Sequence, residues 1–201
     1  MQIPQACLFD LDGILIDTEK LHGQAWKEAS LHFGLTLSQK QLLKLRGRRR
    51  SDCLNQIFQW SNENINIEKF IQIHQPISRK LLSKTNSIPG AKDLIKDCAI
   101  KKIPTALVTS SSRKSFEFKT AQHPWIQNMN AFVLGDDPDL LKGKPSPYPF
   151  LLAAKRLNVD PSKCWAFEDS ESGTKSALGA GCKVWVLLDS QHKDKFINID
   201  L

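Results

Sequence analysis

The sequence predicts an α/β protein: a parallel five-stranded sheet with helices on both faces, into which a helical domain is inserted. Five short apolar segments have the length and the β-branched and aromatic content of buried strands. From about residue 90 onward they alternate with helical patterns, which is typical of parallel sheets. Between residues 16 and 87 this alternation stops, and amphipathic helical patterns follow one another.

The elements of the sheet domain follow from apolar runs bounded by turn or charged residues. The predicted strands are residues 5–9, 103–108, 131–134, 164–167 and 183–188. The helical patterns between them are residues 91–100, 113–122, 147–157 and 172–180.

The inserted segment contains four amphipathic patterns, the last of which includes Pro76. Proline removes a backbone donor, so we expect it to kink or interrupt that helix. The pair Pro89 and Gly90 indicates the turn back into the sheet. We therefore predict a core domain of residues 1–15 and 88–201 and a helical cap domain of residues 16–87.

Composition is that of an ordinary globular protein, since 41% of the 201 residues are hydrophobic and 24% are charged. No apolar run is long enough to predict a transmembrane helix, and no signal peptide is expected. The five cysteines form no CxxC pair, which favours free thiols in a reducing compartment. We expect a cytoplasmic monomer that binds neither membranes nor nucleic acids.

Polar residues follow three of the predicted strands. Ligands of parallel α/β sheets bind at the carboxyl ends of the strands, so these side chains should meet at one edge. They are Asp10 and Asp12 after the first strand, Thr109 and Ser110 after the second, Glu168 and Asp169 after the fourth, and Lys144 in a Gly-Lys-Pro sequence upstream of the fourth.

The residue types in this set can bind a cation and carry out nucleophilic and proton-transfer chemistry. Side chains two apart in an extended segment point the same way, so Asp10 and Asp12 can share one site. Crowded carboxylates repel one another unless a cation lies between them, and an all-oxygen ligand set favours Mg²⁺. One carboxylate can attack phosphorus while another transfers the proton, and a lysine with hydroxyls can hold the phosphoryl oxygens. The pattern indicates phosphoryl transfer.

Four motifs in order resemble the haloacid dehalogenase (HAD) superfamily: FDLDG at 9–13, LVTSSS at 107–112, GKPSP at 143–147 and FEDSESG at 167–173. The resemblance implies a Rossmann-like core, with Asp10 as nucleophile and Asp12 as general acid and base. It implies a phosphate site at Thr109, Ser110 and Lys144. It also implies a Mg²⁺ site of Glu168 and Asp169, joined by Asp10 and the backbone carbonyl of Asp12.

Two branches of the superfamily compete. HGQAWK at 22–27 and LRGRRRSDCL at 45–54 look like β-phosphoglucomutase, in which His22 would match the hinge histidine and Arg50 the arginine that binds the distal phosphate. The mutase's cap lysine falls near Ile77, however, and its lysine after the second motif is replaced by Ser112. SFEFKT at 115–120 and LGDDP at 134–138 instead look like pseudouridine-5′-phosphatase and glycerol-3-phosphatase.

The leading hypothesis is a Mg²⁺-dependent phosphatase of a small phosphomonoester (a sugar, polyol or nucleoside phosphate) that works through an aspartyl-phosphate. The alternative is a β-phosphoglucomutase-like phosphosugar mutase. A third reading starts from the net charge of +7 and the RGRRR run at 46–50, which could bind nucleic acid. We disfavour it because an acidic edge without a metal repels phosphates.

Overall fold

The computed structural model describes residues 3–61 and 65–187. Within them, five parallel strands form one sheet in the order β3-β2-β1-β4-β5. The strands are β1 (Ala6–Phe9), β2 (Thr105–Val108), β3 (Ala131–Val133), β4 (Cys164–Glu168) and β5 (Lys183–Val186). The predicted fold class is confirmed. The predicted end of the fifth strand, Leu188, lies outside the described residues.

The central position of β1 brings three strand ends together. Phe9 pairs with Leu107 of β2 on one side and with Phe167 of β4 on the other. The Phe9 and Phe167 rings stack with their centroids 4.6 Å apart. Because the strands are parallel and in this register, the residues after β1, β2 and β4 emerge at one edge of the sheet.

Helices cover both faces of the sheet: α5 (Ala91–Ile100), α6 (Arg113–Thr120), α7 (Tyr148–Leu157) and α8 (Glu171–Gly179). Short 3₁₀ segments occupy Pro124–Asn128 and Pro161–Lys163. Alternate residues of β1 enter two different cores, as the pleat of a strand requires. Phe9 packs in the core that contains α5, whereas Leu8 packs in the core that contains α7.

Four further helices lie between β1 and α5: α1 (Glu19–Leu31), α2 (Gln39–Leu45), α3 (Arg50–Trp60) and α4 (Ile67–Leu81). They have an apolar core of their own, in which Trp26, Ile57 and Phe70 are buried. Ser38 caps α2 with a capping box to Gln41, which satisfies backbone donors at the start of that helix.

We expected Pro76 to kink or interrupt the last of these helices. The interruption is wrong, because α4 is continuous from Ile67 to Leu81. Phe70, His74 and Ser78 are spaced by four residues and form its buried face. Pro76 is exposed, so water can solvate the backbone carbonyl that its missing N–H leaves free. Packing of the buried face therefore outweighs the lost hydrogen bond.

His74 should make the stability of the protein pH-dependent. It is buried in α4 and stacks on Trp26 with the ring centroids 3.9 Å apart. Burial, together with Arg50 and His22, lowers the pKa of His74 to about 3. An unfolded histidine titrates near 6.5. Below that pH the unfolded chain binds a proton that the folded chain does not bind, so the free energy of unfolding falls as the pH drops from 6.5 toward 3.

We expect His74→Phe to remove this effect. Between pH 7 and pH 5, the wild type should lose about 2 kcal/mol more free energy of unfolding than the variant does. Urea titrations at the two pH values measure it, and His32→Phe is the control because His32 is exposed. The same pH dependence in wild type and His74→Phe would contradict the prediction.

Candidate active site

A cavity of about 690 Å³ lies between the carboxyl ends of the strands and the inserted helices. The sheet domain lines it with Asp10, Asp12 and the serines that follow β2. The inserted segment lines it with six basic side chains: Lys20, Lys27, Arg46, Arg48, Arg49 and Arg50. An anionic ligand would therefore meet positive charge from one side and the acidic strand ends from the other.

Lys144 holds two of the acidic groups at the strand ends. Its Nζ donates to Asp10 Oδ1 at 2.7 Å, to Glu168 Oε1 at 2.5 Å and to the Val108 carbonyl at 2.8 Å. All three side chains of this cluster are at most 5% exposed. A buried ammonium with three acceptors is well satisfied, and it compensates the charge of two carboxylates that could not otherwise be buried together.

The ionisation of the cluster reflects crowding. The pKa of Asp10 is raised to about 7. Burial is the largest cause, Lys144 opposes it, and the charges of Glu168 and Asp12 raise the pKa further. Burial, followed by the charges of Glu19 and Asp10, raises the pKa of Asp169 well above its ordinary value. A further cation would favour the ionised form of both carboxyls.

The same carboxylates fit a divalent metal. Asp10, Glu168 and Asp169 each offer an oxygen, and these atoms all lie within 4.8 Å of one another. An all-oxygen set of this kind suits Mg²⁺. Among the described residues, the Asp12 side chain is not one of the three groups that meet here, and a contribution of its backbone carbonyl stays a prediction.

Two glycines allow the chain to approach these carboxylates. Gly13 has a φ of +79°, and a Cβ there would lie 2.3 Å from Asp169 Oδ2. A Cβ on Gly173, in α8, would lie 2.0 Å from the carboxyl carbon and oxygens of Glu168. Side chains larger than hydrogen at these positions would displace the acidic groups.

We expect Gly173→Ala to destabilise the protein by about 1–3 kcal/mol, since the methyl group must push the Glu168 carboxylate away from Lys144. Gly23→Ala in α1 is the matched control, because a Cβ at Gly23 meets no atom within 4 Å. The control should gain about 0.5–1 kcal/mol from helix propensity and reduced unfolded-state entropy. Thermal unfolding of both variants measures this, and a Gly173→Ala protein as stable as wild type would disagree.

Asp12 is held by hydrogen bonds on both carboxylate oxygens. Thr18 Oγ1 donates to Oδ1 at 2.5 Å, and His22 Nε2 lies 3.2 Å from the same atom. Lys119 Nζ lies 2.5 Å from Oδ1 and 2.6 Å from Oδ2, and Ser111 Oγ lies 3.2 Å from Oδ2. Burial alone would raise the pKa of Asp12, but Lys119 and then His22 hold it well below its usual range.

The other predicted residues lie around this centre. His22, on α1, reaches Asp12, and Arg50, at the start of α3, lines the cavity, where burial lowers its pKa. The Thr109 hydroxyl is buried and accepts from the Ser111 N–H at 3.1 Å. The Ser110 hydroxyl donates to the Gly47 carbonyl at 2.7 Å, so it connects the strand end to the inserted segment.

Sequence reasoning missed two contributors. The motif SFEFKT does not by itself indicate a role for Lys119. The signal in the sequence is its spacing of three residues from Phe116, which places both residues on the buried face of α6. The strand and motif patterns of the sequence do not indicate a role for Glu19. It is buried beside the site and pairs with Arg46 at 3.2 Å, while burial raises its pKa to about 8.

A family model for haloacid dehalogenase-like hydrolases matches residues 7–187. This chain therefore belongs to that family, which confirms the resemblance predicted from the four motifs. Among the described residues, no helix combines the length and the apolar character needed to cross a bilayer.

Curated relatives and a solved structure are similar over most of this chain. The (DL)-glycerol-3-phosphatase 1, mitochondrial, of Arabidopsis thaliana is 30% identical over 96% of this chain, which spans 66% of that protein, just under two thirds. A probable pseudouridine-5′-phosphatase of Saccharomyces cerevisiae is 32% identical over 94% of this chain and 84% of its own length. The crystal structure of CbbY from Rhodobacter sphaeroides in complex with phosphate has a TM-score of 0.73 and 26% identity, covering 92% of this chain and 86% of that one.

Proposed function

We propose that this protein is a Mg²⁺-dependent phosphatase that hydrolyses a small phosphomonoester through an aspartyl-phosphate on Asp10. The observation that carries the proposal is the buried cluster in which Asp10 contacts Lys144 and lies beside Glu168 and Asp169. It provides a nucleophile, a fixed cation and a set of oxygen ligands at one point. The names of the two curated phosphatase relatives support the same class of reaction.

In the first step, Asp10 would attack phosphorus. A carboxylate oxygen of Asp10 forms a bond to phosphorus, the bond from phosphorus to the ester oxygen breaks, and Asp12 gives the departing alkoxide the proton that it received from water in the preceding turnover. His22, whose Nε2 lies 3.2 Å from Oδ1 of the same carboxylate, would assist that transfer. In the second step, water attacks phosphorus, Asp12 takes the water proton, and Asp10 is released with inorganic phosphate. The contacts from Lys119 and His22 favour the ionised Asp12 that this second step needs.

The phosphoryl group would be held by Lys144 together with Thr109 and Ser110. The carboxylates of Asp10, Glu168 and Asp169 and the backbone carbonyl of Asp12 would hold the magnesium ion. When bound, Mg²⁺ supplies positive charge that offsets the charge of the carboxylates and of the phosphoryl oxygens.

The substrate would be a small metabolite such as a sugar, polyol or nucleoside phosphate, because the cavity of about 690 Å³ is of small-ligand size. Helices α1 to α4 would act as the cap domain, and Arg50 would contact the part of the substrate beyond the ester. A β-phosphoglucomutase-like reaction is the second candidate, since the Arg50 guanidinium in the cavity suits a second phosphate. A cytoplasmic location and a monomeric state stay predictions.

Phosphate release from a panel of esters tests the proposal. The panel contains pseudouridine, glycerol, glycolate and hexose phosphates, each assayed with Mg²⁺, with chelator, and after Mg²⁺ is restored. We expect release with Mg²⁺, loss of release with chelator and recovery on restoration. Release that is indifferent to chelation would contradict the metal requirement. Interconversion of glucose 1- and 6-phosphate without release of phosphate would favour the mutase instead.

A further inference from the structure

The loop between α2 and α3 contacts the sheet domain. The Gly47 carbonyl accepts from Ser110, and a Cβ on Gly47 would lie 2.1 Å from Ser170 Oγ. Arg49 Nη2 donates to the Leu140 carbonyl at 3.2 Å. Ser110 follows β2, Ser170 follows β4 and Leu140 precedes the Gly-Lys-Pro sequence. The loop therefore contacts the segments of the sheet domain that also carry candidate site residues.

Arg49 lies flat against Gly143, the residue before Lys144. A Cβ on Gly143 would lie 2.6 Å from Arg49 Nε, 3.0 Å from its Cδ and 3.2 Å from its Cγ. Gly143 is not one of the described glycines with a positive φ, so its backbone conformation does not require glycine. The missing side chain at position 143 instead leaves the room that the Arg49 side chain occupies.

Arg49 also borders the cavity, so a contact with substrate is the alternative role for it. Its Nη2 is already engaged by the Leu140 carbonyl. Its Nε is buried and has no hydrogen-bond partner among the described residues. A substrate anion could reach Nε only if the side chain moved away from Gly143. The geometry therefore favours a contact between the two parts of the protein over a contact with substrate.

We infer that Arg49 is a positioning residue that holds the inserted helices against the sheet domain and so keeps the cavity closed around a bound ester. Closure of this kind excludes water and completes a catalytic site. Because Arg49 contacts a main-chain carbonyl and a glycine, its contribution does not depend on the charge of the ester. The effect on turnover rests on the proposed function, whereas the closure itself does not.

The closure is tested by the distance between spin labels on Lys69→Cys in α4 and Lys155→Cys in α7. Both positions are exposed, whereas the native cysteines are buried and should not react. With Mg²⁺ and inorganic phosphate, pulsed electron paramagnetic resonance should give a narrow distance distribution in the labelled parent and a longer, broader one after Arg49→Ala. Lys44→Ala, which removes an exposed charge from α2, is the control and should leave the distribution unchanged. An unchanged distribution in Arg49→Ala would overturn the inference.

Gly143→Ala tests the same contact from the other side. Its methyl group should push the Arg49 side chain away, so this variant should reproduce the broadened distance distribution and lower kcat/KM by about 10-fold. In the Arg49→Ala background, where the side chain is already absent, the same change should lower kcat/KM by less than about 2-fold. An effect of equal size in both backgrounds, or none in either, would overturn the contact between Arg49 and Gly143.

Turnover separates closure from substrate binding. We expect Arg49→Ala to lower kcat/KM by about 10- to 10²-fold, and by the same factor for glycerol 3-phosphate as for 2-phosphoglycolate, which carries an additional carboxylate. A loss confined to 2-phosphoglycolate would show that Arg49 binds the substrate and would overturn the inference. A wild-type protein that hydrolyses neither ester would overturn the proposed function, while the spin-label distances would still decide whether Arg49 closes the cavity.

Discussion

Asp10→Asn is expected to lower kcat on every phosphate ester by about 10⁴-fold or more, because loss of the nucleophile in covalent catalysis typically lowers kcat by this order of magnitude. The amide has nearly the shape of the carboxylate, but its oxygen is a far weaker nucleophile. It cannot form the aspartyl-phosphate on which both steps depend. Single-turnover phosphate release, with enzyme in excess over ester, measures the loss without interference from product release.

The fold should survive this substitution. Lys144 can still donate to the amide oxygen at position 10, and it keeps its contacts with Glu168 and the Val108 carbonyl. Asp97→Asn, an exposed position on α5, is the matched control and should retain full activity. An Asp10→Asn protein with wild-type structure and substantial turnover would rule out Asp10 as the nucleophile.

Lys144→Met should have the second largest effect, on stability as well as on activity. It leaves the carboxylates of Asp10 and Glu168 buried without their shared cation. Removing one partner of a buried ion pair typically costs about 3–5 kcal/mol. Phosphate release should also be lost, because the same ammonium would hold a phosphoryl oxygen in the transition state.

The stability loss of Lys144→Met should grow with pH. The pKa of Asp10 is already raised to about 7 with Lys144 present, and loss of the cation raises it further. A carboxyl whose folded pKa exceeds its unfolded pKa stabilises the fold at low pH, and this stabilisation is lost as the pH rises through the folded value. The destabilisation relative to wild type should therefore be smaller at pH 5 than at pH 8.

Urea unfolding at both pH values, in the presence of chelator, measures this difference. Lys142→Met removes an exposed lysine two residues away and should change neither stability nor its pH dependence. Equal stability of Lys144→Met and wild type at pH 8 would show that the cation does not stabilise the acidic cluster.

The main features of the sheet and of its acidic edge could be predicted from local patterns. A buried parallel strand is a short apolar run, so β1, β2 and β4 stand out in the sequence. Polar residues directly after such runs must emerge at the carboxyl edge, so the sequence alone predicts that Asp10 and Glu168 lie close together.

Lys119 could not be placed in the same way. Its contact with Asp12 spans 107 residues of sequence, and its side chain comes from the middle of a helix and not from a strand end. Lysines are mostly exposed, so composition argues against a buried one unless its partner is known. The rotation of α6 about its axis decides the contact, and that depends on packing across the sheet.

The sequence also does not predict the hydrogen-bond partners of the site residues. The sequence places the hydroxyl of Ser110 after β2, but it does not show that the Gly47 carbonyl accepts from it. The continuity of α4 through Pro76 likewise depends on exposure and on tertiary packing, which a local propensity does not include.

The most direct measurement is chemical trapping of the intermediate on Asp10. The enzyme is mixed with ester and Mg²⁺, quenched in acid during turnover and reduced with borohydride, which converts an aspartyl-phosphate to homoserine. Peptide mass spectrometry then locates the change. We predict homoserine at position 10 in the wild type and none in the ester-free control. A protein that turns over the ester while Asp10 remains unmodified, under conditions in which a known aspartyl-phosphate is trapped, would contradict the covalent mechanism.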